Sequence, residues 1–125
     1  MRKKERTMVC VTRQKTCERL IKAGARVAKD AGMAFSVVHV VRPGEQMLDL
    51  GEDGAALDYL FTVSKDVGAD MTVLRSDDVP KALADFAKHN GVRIMVLGAS
   101  GENGIVELLK TLKHLLPRVE IKIIN

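Results

Sequence analysis

Short apolar runs alternate with segments of helical periodicity along the whole chain. Five runs of four to eight residues predict strands: Thr7–Thr12, Ala34–Val41, Met71–Leu74, Val92–Leu97 and Val119–Ile124. Four segments between them predict helices: from Thr16 or Cys17 to Ala31, from about Gly54 to Val67, from a cap at Asp77 or Asp78 to Asn90, and from Ile105 to Leu116. Strands that alternate with helices pair in parallel and are covered on both faces. The pattern therefore predicts an α/β fold with an open five-stranded parallel sheet.

The first two predicted helices each have an assignable apolar face. These faces are Leu20, Gly24, Val27, Ala28 and Ala31 in the first helix, and Leu57, Leu60, Phe61 and Ser64 in the second. Glycines at positions 32 and 68 follow the two helices, as expected of helix C-termini. In the third helix, Asp77 or Asp78 is predicted to be a cap and not one half of a catalytic carboxylate pair.

Residues 7–125 are predicted to form a single domain, preceded by a basic tail at residues 1–6. A chain of 125 residues suits one hydrophobic core. The formal net charge is +4, and the tail supplies +3 of it, from Arg2, Lys3, Lys4 and Arg6 against Glu5. Aromatic residues do not alternate with these cations, so we expect a solvated tail that binds neither nucleic acid nor a membrane.

Cysteines and apolar runs indicate a cytoplasmic protein. Cys10 and Cys17 form no CxxC pair and have no metal-ligand spacing to His39, His89 or His114, so we expect no disulfide and no metal site. None of the apolar runs approaches the roughly 20 residues that span a bilayer. His39 follows two valines in the second predicted strand, and we interpret it as a hydrogen-bonded core or strand-end residue.

The turn after the fourth predicted strand is the strongest candidate for a ligand site. It reads Gly98-Ala-Ser-Gly-Glu-Asn-Gly104 and leads directly into a helix. Glycines let a bound group approach the backbone, and the N–H groups of a first helical turn favour an anion. The same glycines would equally serve a sharp chain reversal without any ligand.

Several functions common to parallel sheets are excluded by particular residues. A phospho-acceptor receiver needs carboxylates where the first strand ends in Val11-Thr12-Arg13. A P-loop needs Gly-Lys-Ser/Thr, but Gly104 is followed by Ile105. A dinucleotide fingerprint needs glycines directly after the first strand, and the chain has none there. A nucleophile elbow is excluded because Ser100 lacks its flanking pattern. No nucleophile, base and orienting group are assembled, so we expect no catalytic residues and no enzyme activity.

Three segments carry a resemblance to a known family: Met8–Ile21, Ser76–Ala87 and Ile94–Ser100. With them, about residues 7 to 124 resemble the universal stress protein family, and in particular the stress-protein-like domain of bacterial osmosensing potassium-uptake sensor kinases. The resemblance implies strand order 3-2-1-4-5 and a Rossmann-like architecture similar to adenine nucleotide alpha-hydrolases. It also implies that Thr12 to Lys15 and Gly98 to Gly104 face one crevice at the switch point between strands 1 and 4.

The resemblance further implies a degenerate nucleotide site. The ATP-binding branch of the family carries an Asp at the end of strand 1 and Gly-x2-Gly-x9-Gly-Ser/Thr after strand 4. Gly98 and Gly101 match the first half, whereas Thr111-Leu112 stands where the second half belongs and Thr12 replaces the acidic residue. Glu102 adds negative charge beside the expected phosphate position.

The implied contacts are therefore incomplete. The expected binding residues are Thr12, Arg13, Val40, Gly98, Ser100 and Gly101. We expect at most weak binding of an adenine nucleotide, ATP or AMP, and no certain cofactor.

The function expected from this resemblance is a regulatory module in stress response or signalling. Two alternatives remain open: an ATP- or AMP-binding switch with weak hydrolysis, and an interaction domain derived from a sensor kinase that binds a signalling protein and no small ligand. The apolar residues of Val119–Ile124 on an expected edge strand predict a homodimer through that strand.

Overall fold

The computed structural model describes residues 5–11, 17–41, 59, 61–98 and 104–124, with the backbone alone for residues 17 and 104–106. The elements are β1 (Arg6–Val11), α1 (Cys17–Ala31), β2 (Ala34–Val41), α2 (helical at residues 61–66), β3 (Asp70–Arg75), α3 (Val79–His89), β4 (Val92–Gly98), α4 (Gly104–Leu115) and β5 (Glu120–Ile124). Strand β1 thus begins at Arg6, one residue before the predicted start, and the remaining bounds agree with the predictions to within one residue where both ends are described.

The five strands form one parallel sheet in the order β3-β2-β1-β4-β5. In register, Val9 lies between Val37 of β2 and Val96 of β4. Strands β3 and β5 are the edges of this sheet, and Ile123 of β5 is 38% exposed. The predicted fold class and strand order are confirmed.

Alternate residues of the central strands supply two separate cores. Val9, Val37 and Val96 are fully buried on the face covered by α1 and α2. Met8 and Met95 are fully buried on the opposite face, which α3 and α4 cover with residues such as Leu112. Because side chains alternate along a strand, strands buried on both faces are almost continuously apolar, as these are.

Helix α1 lies unusually close to the sheet at Gly24. A Cβ atom there would lie 2.9 Å from Phe35 Cζ and 3.3 Å from Val9 Cβ. The buried face is centred on Ile21 and Ala28, together with Gly24. Ile21 was not in the predicted face, and the placement of Ala31 there is wrong, because the helix ends at this residue and leaves it exposed.

Glycines end α1 and α2 by the same motif. Gly32 and Gly68 have φ angles of 68° and 75°, which favour glycine. The N–H of Gly32 donates to Lys29 O at 3.1 Å, and the N–H of Met33 donates to Ala28 O at 2.9 Å. Gly68 repeats this pattern. Both are Schellman ends, which satisfy carbonyls that the helix leaves unpaired, and both predicted helix ends are confirmed.

The predicted burial of Phe61 is wrong. Phe61 is 51% exposed, whereas Val63 and Ser64 are 7% and 1% exposed. The predicted burial of Ser64 is confirmed, whereas Val63, which was not in the predicted face, is buried and Phe61 is not. Lys65 Nζ lies 5.5 Å from the centroid of the exposed Phe61 ring. Leu57 and Leu60 lie outside the described residues.

The start of α3 confirms the predicted capping role of Asp78. Its Oδ1 accepts a hydrogen bond from the N–H of Lys81 at 3.2 Å, and Pro80 occupies the first turn. Ser76 Oγ accepts a hydrogen bond from the N–H of Asp78 at 3.0 Å, which holds the cap in place.

Candidate functional site

The strand order reverses between β1 and β4, which are neighbours at the centre of the sheet. From β1 the chain moves to β2 on one side, and from β4 it moves to β5 on the other. Cys10 pairs with Leu97, so the carboxyl ends Val11 and Gly98 lie next to each other. Ligands of open parallel sheets bind beyond the strands at such a point. This is the candidate site.

Two of the predicted binding residues, Gly98 and Val40, are described, and both lie at this end of the sheet. Gly98 faces α1, where its nearest neighbour is Leu20. Val40 is partly buried and packs on the opposite face against the core beneath α3 and α4. They share an end of the sheet but not a face. Thr12, Arg13, Ser100 and Gly101 lie outside the described residues, so the complete set stays a prediction.

Gly98 has a packing reason to be glycine. A Cβ atom at this position would lie 3.1 Å from Leu20 Cδ2. This distance is tighter than ordinary van der Waals contact, so the Leu20 side chain would have to move slightly to admit a larger residue. The role of Gly98 towards a ligand stays a prediction.

His39 holds the end of β1 from the neighbouring strand. Its side chain is 8% exposed, and Nδ1 lies 3.0 Å from Val11 O. A carbonyl oxygen only accepts hydrogen bonds, so Nδ1 carries the proton in this contact. The interpretation of His39 as a hydrogen-bonded strand-end residue is confirmed. The contact orients the last carbonyl of β1, immediately before the predicted ligand loop.

Tyr59 and Glu18 link the region of α2 to the first turn of α1. The hydroxyl of Tyr59 donates to Glu18 Oε2, and Lys22 Nζ lies 3.4 Å from Glu18 Oε1. The Tyr59 hydrogen bond and then Lys22 lower the pKa of Glu18 from its ordinary value. Sequence reasoning missed this link because the two residues are 41 positions apart and share no periodic pattern.

Cys10 lies next to the end of β1 but is not an activated nucleophile. Burial raises the pKa of its thiol to about 12, so the thiol stays protonated at neutral pH. Within the described ranges, no three His, Cys, Asp or Glu residues are grouped to hold a metal ion. The helices of those ranges also include none that is long and apolar enough to cross a membrane.

Comparison with known sequences identifies one family and one group of sensors. The model of the universal stress protein family matches residues 4–116. The Sensor protein KdpD of Mycobacterium tuberculosis, from strains CDC 1551 and H37Rv, is 33% identical over 97 residues. That match covers 78% of this chain, and the chain spans 11% of the length of these sensors.

Solved structures of low sequence identity share the fold. The universal stress protein from Archaeoglobus fulgidus in complex with dAMP is 19% identical, covers 99% of this chain and 100% of its own, and has a TM-score of 0.72. UspA from Lactobacillus plantarum is 16% identical over 100% of both chains, with a TM-score of 0.70. A universal stress protein in complex with cAMP is 13% identical, covers 99% of this chain and 98% of its own, and has a TM-score of 0.69.

Proposed function

The chain belongs to the universal stress protein family, and on that premise we propose that it is a regulatory module with a degenerate adenine-nucleotide site and no catalysis of its own. The observation that carries the proposal is the position of Gly98. This first glycine of the half-motif is the last residue of β4, beside the end of β1 at the switch point. We infer that Thr12, Arg13, Val40, Ser100 and Gly101 join it around the ligand.

The chemistry of the loop favours a nucleotide with one phosphate. The chain has Gly98 and Gly101, which bring backbone N–H groups near an anion, but has Thr111-Leu112 in place of the second clamp. Glu102 opposes further negative charge. Two similar folds were solved with dAMP and cAMP, and each of these ligands carries a single phosphate. We therefore expect AMP to bind at least as tightly as ATP.

Titration calorimetry with AMP, ADP and ATP tests the degenerate site. The dissociation constant for ATP should be no tighter than about 100 μM, or roughly −5.5 kcal/mol. Substitution Gly101→Val should abolish nucleotide binding while the circular dichroism spectrum stays unchanged. Substitution Glu102→Gln should improve ATP binding more than AMP binding, and Asp30→Asn, the same charge change on an exposed residue at the C-terminal end of α1, is the matched control. Low-micromolar ATP binding would instead support the switch with weak hydrolysis.

A second candidate is an interaction domain without a small ligand. It is favoured by the 33% identity to Sensor protein KdpD, of which this chain matches a small part. Mass spectrometry of small molecules released from the native protein separates the candidates. A co-purifying nucleotide supports a ligand-binding module, and an empty site together with flat titrations supports the interaction domain.

We also propose a homodimer that pairs through β5. This strand is at one edge of the sheet, its Ile121 and Ile124 are partly buried, and Ile123 is exposed. An exposed apolar edge strand can pair with a second copy of itself. Glu120 and Lys122 on the same strand form an ion pair at 3.3 Å, which lowers the cost of bringing their charges close to a second copy.

A further inference from the structure

A groove of about 360 Å³ lies at the amino ends of the strands, opposite the candidate nucleotide site. It is bounded by the ends of α3 and α4 and by the starts of β4 and β5. Its floor is apolar, with Ala87, Val92 and Leu116 buried and Leu115 and Val119 partly buried. We call it the basal groove. Its volume is within the range of small-ligand sites, about 300–1,000 Å³.

Three exposed cations surround the basal groove. They are Lys88 at the end of α3, Arg93 on β4 and Arg118 before β5. Among the described lining residues the acidic one is Glu5, whose Oε2 lies 3.6 Å from Arg93 Nε. Three cations against one carboxylate give the described rim of the groove a net positive charge.

Helix dipoles account for only part of the combination of rim cations and apolar floor in the basal groove. Cations near the C-termini of α3 and α4 would be favourable without a ligand. One of the terminal carbonyls of each helix already has a partner, however. Asn90 donates to Phe86 O through both its backbone N–H, at 3.1 Å, and Nδ2, at 2.8 Å, and the N–H of Leu116 donates to Leu112 O at 2.7 Å. The dipoles also give no reason for an apolar floor in the middle of the charges.

We propose that the basal groove binds a small amphipathic carboxylate, with its apolar body on the floor and its carboxylate among Lys88, Arg93 and Arg118. Ligand sites of this kind combine an apolar lining with a few polar groups that fix orientation. Charge complementarity decides the sign of the ligand, and the partly buried Leu115 and Val119 provide the contact for its body. This site is separate from the nucleotide site, and the proposal does not depend on the proposed function.

Glu5 shows where the ligand's carboxylate would bind. It brings a carboxylate of the chain itself to the rim, against Arg93. The pair is about half exposed on both sides, at 55% each, so it holds Arg93 only weakly. An external carboxylate would use Lys88 and Arg118 and compete with Glu5 for Arg93. Removal of the Glu5 charge should therefore strengthen binding, whereas removal of a rim cation should weaken it.

Amide chemical shifts of the full chain, titrated with octanoate, test the proposal. We expect saturable shifts, with a dissociation constant in the millimolar range for a ligand of this size, at Lys88, Gly91, Arg93 and Val119. Acetate, which has the charge without the body, and 1-octanol, which has the body without the charge, should both bind several-fold more weakly. Amides at the carboxyl ends of β1 and β4 should not move.

Charge variants with opposite expected effects on octanoate binding complete the test. Lys88→Gln and Arg118→Gln should each weaken octanoate binding about two- to five-fold, which is typical of one exposed charge. Glu5→Gln should strengthen it by a similar factor. Arg26→Gln, an equal charge change on an exposed residue of α1, is the control and should have no effect. Equal binding of acetate or octanol, shifts centred elsewhere, no shifts at all, or Glu5→Gln weakening binding would each overturn the proposal.

Discussion

Replacement of Gly24 with Ala should destabilise the protein, although alanine is the better helix former. In the interior of an exposed helix this exchange stabilises by about 1 kcal/mol. Here the new Cβ would lie 2.9 Å from Phe35 Cζ and 3.3 Å from Val9 Cβ. Both neighbours are buried on strands, at 7% and 0% exposure, so neither moves without disturbing the sheet. Overpacking costs about 1–3 kcal/mol, so after the gain in helix propensity we expect a net loss of up to about 2 kcal/mol.

Urea unfolding monitored by circular dichroism measures this loss as a lower midpoint with an unchanged slope. Phe35→Leu removes the ring atoms nearest to the new methyl group. The loss of unfolding free energy caused by Phe35→Leu should therefore be smaller in the Gly24→Ala background than in the wild type. Gly32→Ala is the matched control. Its Cβ would meet no atom within 4 Å, and its cost comes from a φ of 68°, which Phe35→Leu cannot relieve. A Gly24→Ala protein about 1 kcal/mol more stable than wild type would refute the reasoning.

Three further changes test other parts of the structure. Ile123→Lys should shift a dimer to monomer in analytical ultracentrifugation, because it puts a charge on the exposed β5 edge, and a wild-type protein that is monomeric at high concentration would contradict the pairing. Asp78→Ala should lower the unfolding free energy by about 1 kcal/mol, because the N–H of Lys81 loses its cap, whereas Asp78→Asn should cost much less. Tyr59→Phe should raise the pKa of Glu18 towards its ordinary value in an NMR titration, since the largest cause of its depression is removed. A lowered carboxylate pKa adds stability to the fold at pH values above the unfolded-state pKa, and this added stability is lost as the pH falls through the folded-state pKa. Tyr59→Phe should therefore reduce the loss of unfolding free energy on acidification.

The order of elements was readable from the chain because local signals are strong. Glycines 32 and 68 mark two helix ends, and Asp78 with Pro80 marks a helix start, since each satisfies or avoids a particular backbone hydrogen bond. The strands are apolar runs because the sheet buries both of their faces. The strand order came from the family resemblance, and the sheet confirms it.

The buried face of each helix was harder to predict from the sequence than the order of the elements. Phe61 and Val63 both fit an apolar stripe in a short helix, and the difference in burial between them arises from how α2 packs on the sheet. Ile21 was missed in α1 for the same reason, since a rotation of one residue changes which side chains face inwards. Periodicity defines a stripe only to within such a rotation.

The alternating α/β order, the helix ends and the two half-motif glycines could be read from the chain, because each depends on residues that are close together in it. Packing between distant parts of the chain places Gly24 against Phe35 and Gly98 beside Leu20. It also lets His39 hold the carbonyl of Val11 and brings Lys88 and Arg118 to one groove. These contacts join residues far apart in the chain. Their geometry depends on how closely the helices pack on the sheet, and no local pattern encodes that distance.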